Sequence, residues 1–150
     1  MEEIKKLFTG TWLHKQDDLL PNFFNAVGAS DVEKEYMLTS TPKLVFSVEG
    51  DFIKMENLPH PGTRPEENAK CEFKLNEEFM FEPKGVVFKI TVEWKDGKMI
   101  HHMKPVDSHI CPHTIEHYIN DRGQLIQEYK LIDDYCKEVT GMRTFCKEEL

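Results

Sequence analysis

From Lys43 to the last residues, apolar side chains recur at every second position in short runs separated by turn residues. That period belongs to strands, and serial tight turns between strands make an antiparallel meander. Leu44, Phe46 and Val48 alternate up to Glu49-Gly50-Asp51, and Phe52 to Glu56 returns. Cys71, Phe73 and Leu75 come next, then Phe79 and Phe81 up to Pro83-Lys84-Gly85. Val86 to Trp94 is the longest run, and Lys95-Asp96-Gly97-Lys98 turns it into Met99 to Met103. Thr114 to Ile119, a turn at Asn120 to Gly123, Leu125 to Ile132 and a run ending near Phe145 complete the series. With one strand at the start, about ten strands emerge, and such a meander escapes exposed edges by closing into a barrel.

The start of the chain departs from this pattern. Phe8-Thr9-Gly10-Thr11-Trp12-Leu13 reads as a first strand whose aromatics plug a barrel floor. Asp17 to Ser40 then reads as two short helices. Asp17 or Asp18 is a candidate N-cap with Pro21 in the opening turn, Leu20, Phe23, Phe24 and Val27 fall at helical spacing, and Gly28 ends the element. Ser30 or Asp31 caps a second helix to about Leu38, with Glu33 in capping-box position and Thr41-Pro42 as the stop. The stretch Asn57 to Asn68, rich in Pro, Gly and charge, reads as a loop. No repeat or linker divides the chain, which is expected to form a single domain over 1–150.

Charge excludes some functions. A net charge of -8 argues against broad nucleic-acid binding, which needs a basic face, and allows at most transient membrane contact. Met1-Glu2-Glu3-Ile4-Lys5-Lys6 has no apolar core of a secretory signal, so a cytoplasmic location is expected. Cys71, Cys111, Cys136 and Cys146 lie far apart with no C-x-x-C pair, which fits free thiols in a reducing compartment.

The order of these motifs resembles the intracellular lipid-binding proteins, the fatty-acid-binding and retinoid-binding family. The likeness runs through Phe8 to Trp12, Phe24-Asn25-Ala26-Val27-Gly28, Thr41-Pro42-Lys43, Glu49-Gly50-Asp51, Phe73 to Phe79, Trp94 to Lys98 and Arg143-Thr144-Phe145. It implies an all-β fold: a ten-stranded up-and-down barrel with a helix-turn-helix lid between the first two strands. It also implies a monomeric, non-enzymatic carrier that takes a fatty acid or similar hydrophobic molecule and needs no cofactor. The family holds a ligand carboxylate with an R-x-Y on the last strand and a basic or amide residue on the strand two before it. Arg143 matches the arginine, Phe145 replaces the tyrosine and lacks its hydroxyl, and the second position falls on Glu116, which reverses the charge.

The candidate lipid-binding residues follow from alternation and from this likeness. Arg143 and Phe145 share a strand face, and an inward guanidinium needs a partner, either a ligand carboxylate or Glu116. Glu116 shares its face with Tyr118, while Phe23, Val27 and Met37 on the helices cover the barrel entrance. Met55, Phe73, Phe79, Phe88, Met99 and Met103 are candidate wall residues. The lid and the Asn57 to Asn68 loop form the expected portal. A rival reading is a metal-binding or interaction module built on His101, His102, His109, Cys111, His113 and His117. His109, Cys111 and His113 alternate, but about 7 Å between same-face neighbours on a strand is too wide for one ion, so polar structural histidines are the better reading. No G-x-S-x-G, Walker or H-E-x-x-H pattern is present, so no catalytic residue is assigned.

Overall fold

The computed structural model describes residues 1–39, 43–58, 69–82, 86–132 and 135–148. Ten strands form one antiparallel sheet: β1 (Gly10–Asp18), β2 (Lys43–Glu49), β3 (Phe52–Leu58), β4 (Ala69–Phe73), β5 (Phe79–Phe81), β6 (Phe88–Lys95), β7 (Lys98–Pro105), β8 (His113–Ile119), β9 (Leu125–Ile132) and β10 (Glu138–Lys147). Their lateral order is β4-β3-β2-β1-β10-β9-β8-β7-β6-β5, so the one non-sequential pairing, β1 with β10, curls the meander round. At the seam between β4 and β5, Phe73 and Phe79 stack with centroids 5.1 Å apart and planes 5° apart. Side chains therefore bridge the two edge strands of a nearly closed barrel.

Alternation sets the two faces as the sequence implies. Leu44 and Phe46, Ile53, Phe73, Ile90 and Val92, Met99 and Leu125 are buried inward, and the charged residues between them face out. Among the described residues three helices accompany the barrel: α1 (Glu2–Phe8), α2 (Leu20–Val27) and α3 (Asp31–Thr39). The helical lid and the turn at Gly28 stand where the sequence puts them, and of the two expected caps Ser30 is the one used, with Asp31 the first helical residue. Ser30 and Glu33 form a reciprocal capping box, with Glu33 Oε1 accepting from Ser30 N at 2.7 Å and Ser30 Oγ from Glu33 N at 3.2 Å. Thr41-Pro42, the turn at Pro83-Lys84-Gly85 and most of the expected portal loop (59–68) lie outside the described residues.

Two local expectations are corrected. Phe8 ends a helix instead of beginning a strand. Ile4 and Phe8, four apart, bury one face of α1 against the barrel floor, where the Phe8 ring meets Phe46 at 5.7 Å and Trp94 at 5.9 Å. Trp12 Nε1 donates to the Phe8 carbonyl at 2.9 Å, which ties the helix end to β1. At the other end of β1, Asp17 and Asp18 remain in the strand, and Leu19 in the left-handed region (φ 58°) is the N-cap of α2. Asp is favoured as a cap because its carboxylate can accept orphan helix N–H groups, but the Asp17 carboxylate instead meets Arg143 Nε at 3.1 Å.

Leu20, Phe23, Phe24 and Val27 of α2 pack with Tyr129 and Leu131 of β9. Full burial of such side chains stabilises by about 1.5–3 kcal/mol each, which seats the lid. Gly141 lets α2 approach β10 closely, since a Cβ there would stand 3.0 Å from both the Leu19 carbonyl oxygen and the Leu20 Cα. Gly28 has a double requirement: φ is +93°, and a Cβ would meet the His109 carbonyl oxygen at 2.7 Å. The loop carrying His109 is also tied to the lid by Cys111 N donating to the Val27 carbonyl at 2.8 Å. Gly28→Ala should therefore cost at least about 1–2 kcal/mol, the cost of left-handed backbone for a residue with a Cβ. Urea unfolding of the variant measures it; an unchanged midpoint would mean that the α2–α3 turn relaxes freely.

Candidate functional site

Inside the barrel the side chains are not uniformly apolar. His101, His117, Gln127 and Arg143 are buried, as is Tyr129. The strand register places four of the inward polar groups in one row: Asp17 opposite Arg143, Arg143 opposite Gln127, and Gln127 opposite His117. Met99 of β7 stands next to His117 in the same row. A polar stripe thus crosses an otherwise apolar interior.

Arg143 is the anchor of this row. It is 2% exposed. Its Nε lies 3.1 Å from Asp17 Oδ1, a close charge contact, and its Nη2 donates to the Met37 carbonyl on α3. Asp17 Oδ1 also lies 2.7 Å from His14 Nε2, and the His14 ring meets Phe145 edge-on at 5.7 Å. The guanidinium is therefore neutralised by a carboxylate of the chain itself while it holds the lid from below. Asp17 reaches this position because the β1–β10 register shifts between His14 and Gln16. Without that bulge, strict alternation from the inward His14 would turn Asp17 outward.

Glu116 and Tyr118 are corrected by the same geometry. Both lie on the outer face of β8, where the Glu116 carboxylate takes Lys98 Nζ and Lys130 Nζ, each at 3.2 Å. Burial pushes the Glu116 carboxyl up, but the two ammonium groups outweigh it and hold it below the usual carboxylate value. The Tyr118 hydroxyl donates to Glu128 Oε1 at 3.3 Å, and its ring lies 4.7 Å below Lys98 Nζ. Glu116 does not neutralise Arg143; Asp17 does. The inward residue of β8 in the row of Arg143 is His117, one position along, and a one-residue slip exchanges the faces of a strand.

The remaining expected residues divide between site and packing. Phe145 is fully buried beside His14. Phe23 and Val27 are buried in the lid, with the Phe23 ring 5.3 Å from Tyr129 and 5.5 Å from His113. Met37 joins the site through its backbone carbonyl. Phe73, Phe88, Met99 and Met103 are buried, whereas Met55 and Ile115 point inward from mid-strand yet stay only half-buried.

The histidine-rich stretch does not form a metal centre among the described residues. His109 Nε2 lies 2.6 Å from Glu33 Oε1, His102 Nε2 lies 3.2 Å from Glu93 Oε1 on the outer face, and His113 Nδ1 donates to the Cys111 carbonyl at 2.9 Å. All four cysteines are free thiols. His101 and His117, expected on a polar face, instead sit inside, with rings 4.8 Å apart. The sequence does carry a signal for His101, which falls at period two between the inward Met99 and Met103. Asp17 carries none, because the bulge that turns it inward breaks the period.

Burial, with a smaller contribution from its histidine neighbour, lowers the His117 pKa well below its ordinary value. Burial is also the largest influence on His101 and takes it to about 4, although the nearby Met99 backbone acts the other way. Both rings are therefore neutral at pH 7. The unfolded chain binds a proton at each near pH 6.5, so their contribution is complete above that pH and is lost as pH falls below it, for His101 over the window from 6.5 to about 4. His101 alone should produce a loss of up to about 1.4 kcal/mol per pH unit in this window. Denaturant titrations at stepped pH should show the slope in the wild type and a shallower one in His101→Phe; parallel profiles would mean that the ring is hydrated in the folded state.

No family sequence model matches the chain, and no curated protein sequence matches it. Its fold defines a class: the ten-stranded, helix-lidded β-barrel of the fatty-acid-binding and other lipid-binding proteins. Among solved structures, Echinococcus granulosus fatty-acid-binding protein 1 is similar at 20% identity and TM-score 0.78, with 99% of this chain and 100% of that one covered. The Schistosoma mansoni fatty-acid-binding protein in complex with arachidonic acid is similar at 20% identity and TM-score 0.75, over 97% and 98% of the two chains. The fluorescent protein UnaG is similar at 25% identity and TM-score 0.76, over 97% and 99%. Among the described residues no helix is long and apolar enough to cross a membrane.

Proposed function

We propose that this protein is an intracellular carrier that holds a long-chain fatty acid or a related hydrophobic molecule non-covalently inside the barrel. The observation that carries this reading is the buried polar row from Arg143 to His117, met at its outer end by the more exposed Asp17, walled by apolar side chains and roofed by a lid that Arg143 touches directly. A core built only for stability has little use for buried groups that cost free energy to desolvate. The arachidonic acid bound to the similar Schistosoma protein favours an acyl chain as the occupant. Burying such a chain at ~0.8 kcal/mol per methylene gives on the order of 10 kcal/mol gross, before the costs of ordering. The walls supply most of the affinity, and the polar row sets orientation. Binding needs no covalent step and assigns no catalytic residue.

Entry is through the lid. Displacing Arg143 from the Met37 carbonyl loosens α3, so a group that engages Arg143 also opens or reseats the roof. A ligand carboxylate must compete there with Asp17. Delipidated protein should bind a fluorescent fatty-acid analogue at micromolar or better affinity; no binding of fatty-acid, retinoid or sterol probes would overturn the carrier reading. Asp17→Asn should raise the affinity for oleic acid about tenfold, equivalent to ~1.4 kcal/mol, and leave oleyl alcohol nearly unchanged. Equal changes for both in a competition titration would mean that the carboxylate does not seat at Arg143.

A further inference from the structure

The His101–His117 pair stands at the β7–β8 end of the polar row: His117 shares the row of Arg143 across Gln127, and His101, opposite Ile115, belongs to the next row towards the lid. Both side chains are fully buried, and His101 Nδ1, His101 Nε2 and His117 Nδ1 have no hydrogen-bond partner among the described residues. Their surroundings are aromatic: Phe73 meets His101 edge-on at 5.4 Å, and Phe46 meets His117 at 5.7 Å. Buried polar atoms are rarely left unpaired, and each such atom calls for an occupant.

The neighbouring hydrogen bonds define what that occupant is. The Tyr129 hydroxyl donates to Gln127 Oε1 at 3.0 Å, so the Gln127 amide nitrogen faces His117 Nε2 at 3.1 Å and donates to it. His117 therefore carries its proton on Nδ1, a donor with no partner among the described residues; the tautomer follows from the network. The Met99 backbone lies where it favours the proton of the neutral His101 ring, which leaves the other His101 nitrogen as a bare acceptor. Beyond that contact the rings offer one donor and one acceptor, with no charge. A hydroxyl group, which accepts and donates at once, satisfies this set. A carboxylate only accepts and would sit beside neutral rings, away from the guanidinium.

We infer that the His101–His117 pair is a hydrogen-bonding subsite inside the barrel for an uncharged hydroxyl group, and that the carried ligand is a long-chain alcohol or hydroxyl-bearing lipid. This rests on the carrier reading and narrows its substrate class. Neutralisation of Arg143 by Asp17 points the same way, since the one buried cation among the described residues is already matched by a carboxylate.

Displacement of Nile red from delipidated protein by oleyl alcohol, by 1-octadecene and by oleic acid tests it. The alcohol should bind at least tenfold more tightly than the alkene of similar length. His101→Phe and His117→Phe, which keep an aromatic ring at each position, should reduce that preference to threefold or less without lowering Tm. In the wild type, oleyl alcohol should also move the imidazole nitrogen NMR signals of both histidines. Equal binding of alcohol and alkene, or a preference that survives both substitutions with unmoved imidazole signals, would overturn the subsite and leave the carrier intact. Displacement by none of the three would remove the carrier reading and the subsite together.

Discussion

A guanidinium that is 2% exposed must find compensation inside the barrel, and much of the site's architecture follows from how Arg143 finds it. An isolated buried charge costs far more than a domain's net stability can absorb. Asp17 supplies the countercharge, and the Met37 carbonyl supplies a further acceptor. The first of these depends on the bulge in β1, the second on where α3 lies. One buried charge therefore couples strand register, helix position and the roof of the barrel.

That coupling separates this chain from the pattern its motifs resemble. Where the family pattern pairs a last-strand arginine with a tyrosine and a second basic or amide group, this interior has Arg143 with Phe145 and His117. The hydroxyl donor is gone, and the second basic group is a ring that burial keeps neutral at pH 7. The carboxylate expected from a ligand is replaced by one from the chain. Binding in such an interior is governed less by charge attraction than by apolar contact and by neutral hydrogen bonding. On the proposed carrier reading, the tie between Arg143 and the lid makes binding and opening act on the same side chain.

The lid is held by several small constraints. Gly28 and Gly141 permit close backbone approach, the Ser30–Glu33 box fixes the start of α3, and Glu33 also accepts from His109 on the loop before β8. Burial pushes the Glu33 carboxyl up, and its hydrogen bonds to Ser30 and His109 outweigh that to hold it low. The apolar face of α2 does most of the seating, while α3, with Val32 at 77% exposure, buries little of its own. A helix with so small an apolar face depends on its contacts with α2 and Arg143 and is the natural part of the roof to move.

The sequence was enough for the ten-strand meander, the two lid helices, the turn at Gly28, a cap at Ser30 or Asp31 and the shared face of Arg143 and Phe145. Each of these rests on local periodicity or turn chemistry, which a chain carries wherever it folds. It did not determine α1, whose short apolar stripe of Ile4 and Phe8 makes sense only against the barrel floor. The partner of Arg143 was equally illegible: Glu116 and His117 are one residue apart on opposite faces, and only the strand register says which meets the row. Asp17 needed more still, because a bulge resets the alternation and no composition announces it. The His101–His117 pair joins residues on neighbouring strands whose meeting depends on how β7 and β8 align. Local rules settle which segments become strands and helices. Which polar groups share the interior is a long-range matter of register, and only the closed barrel decides it.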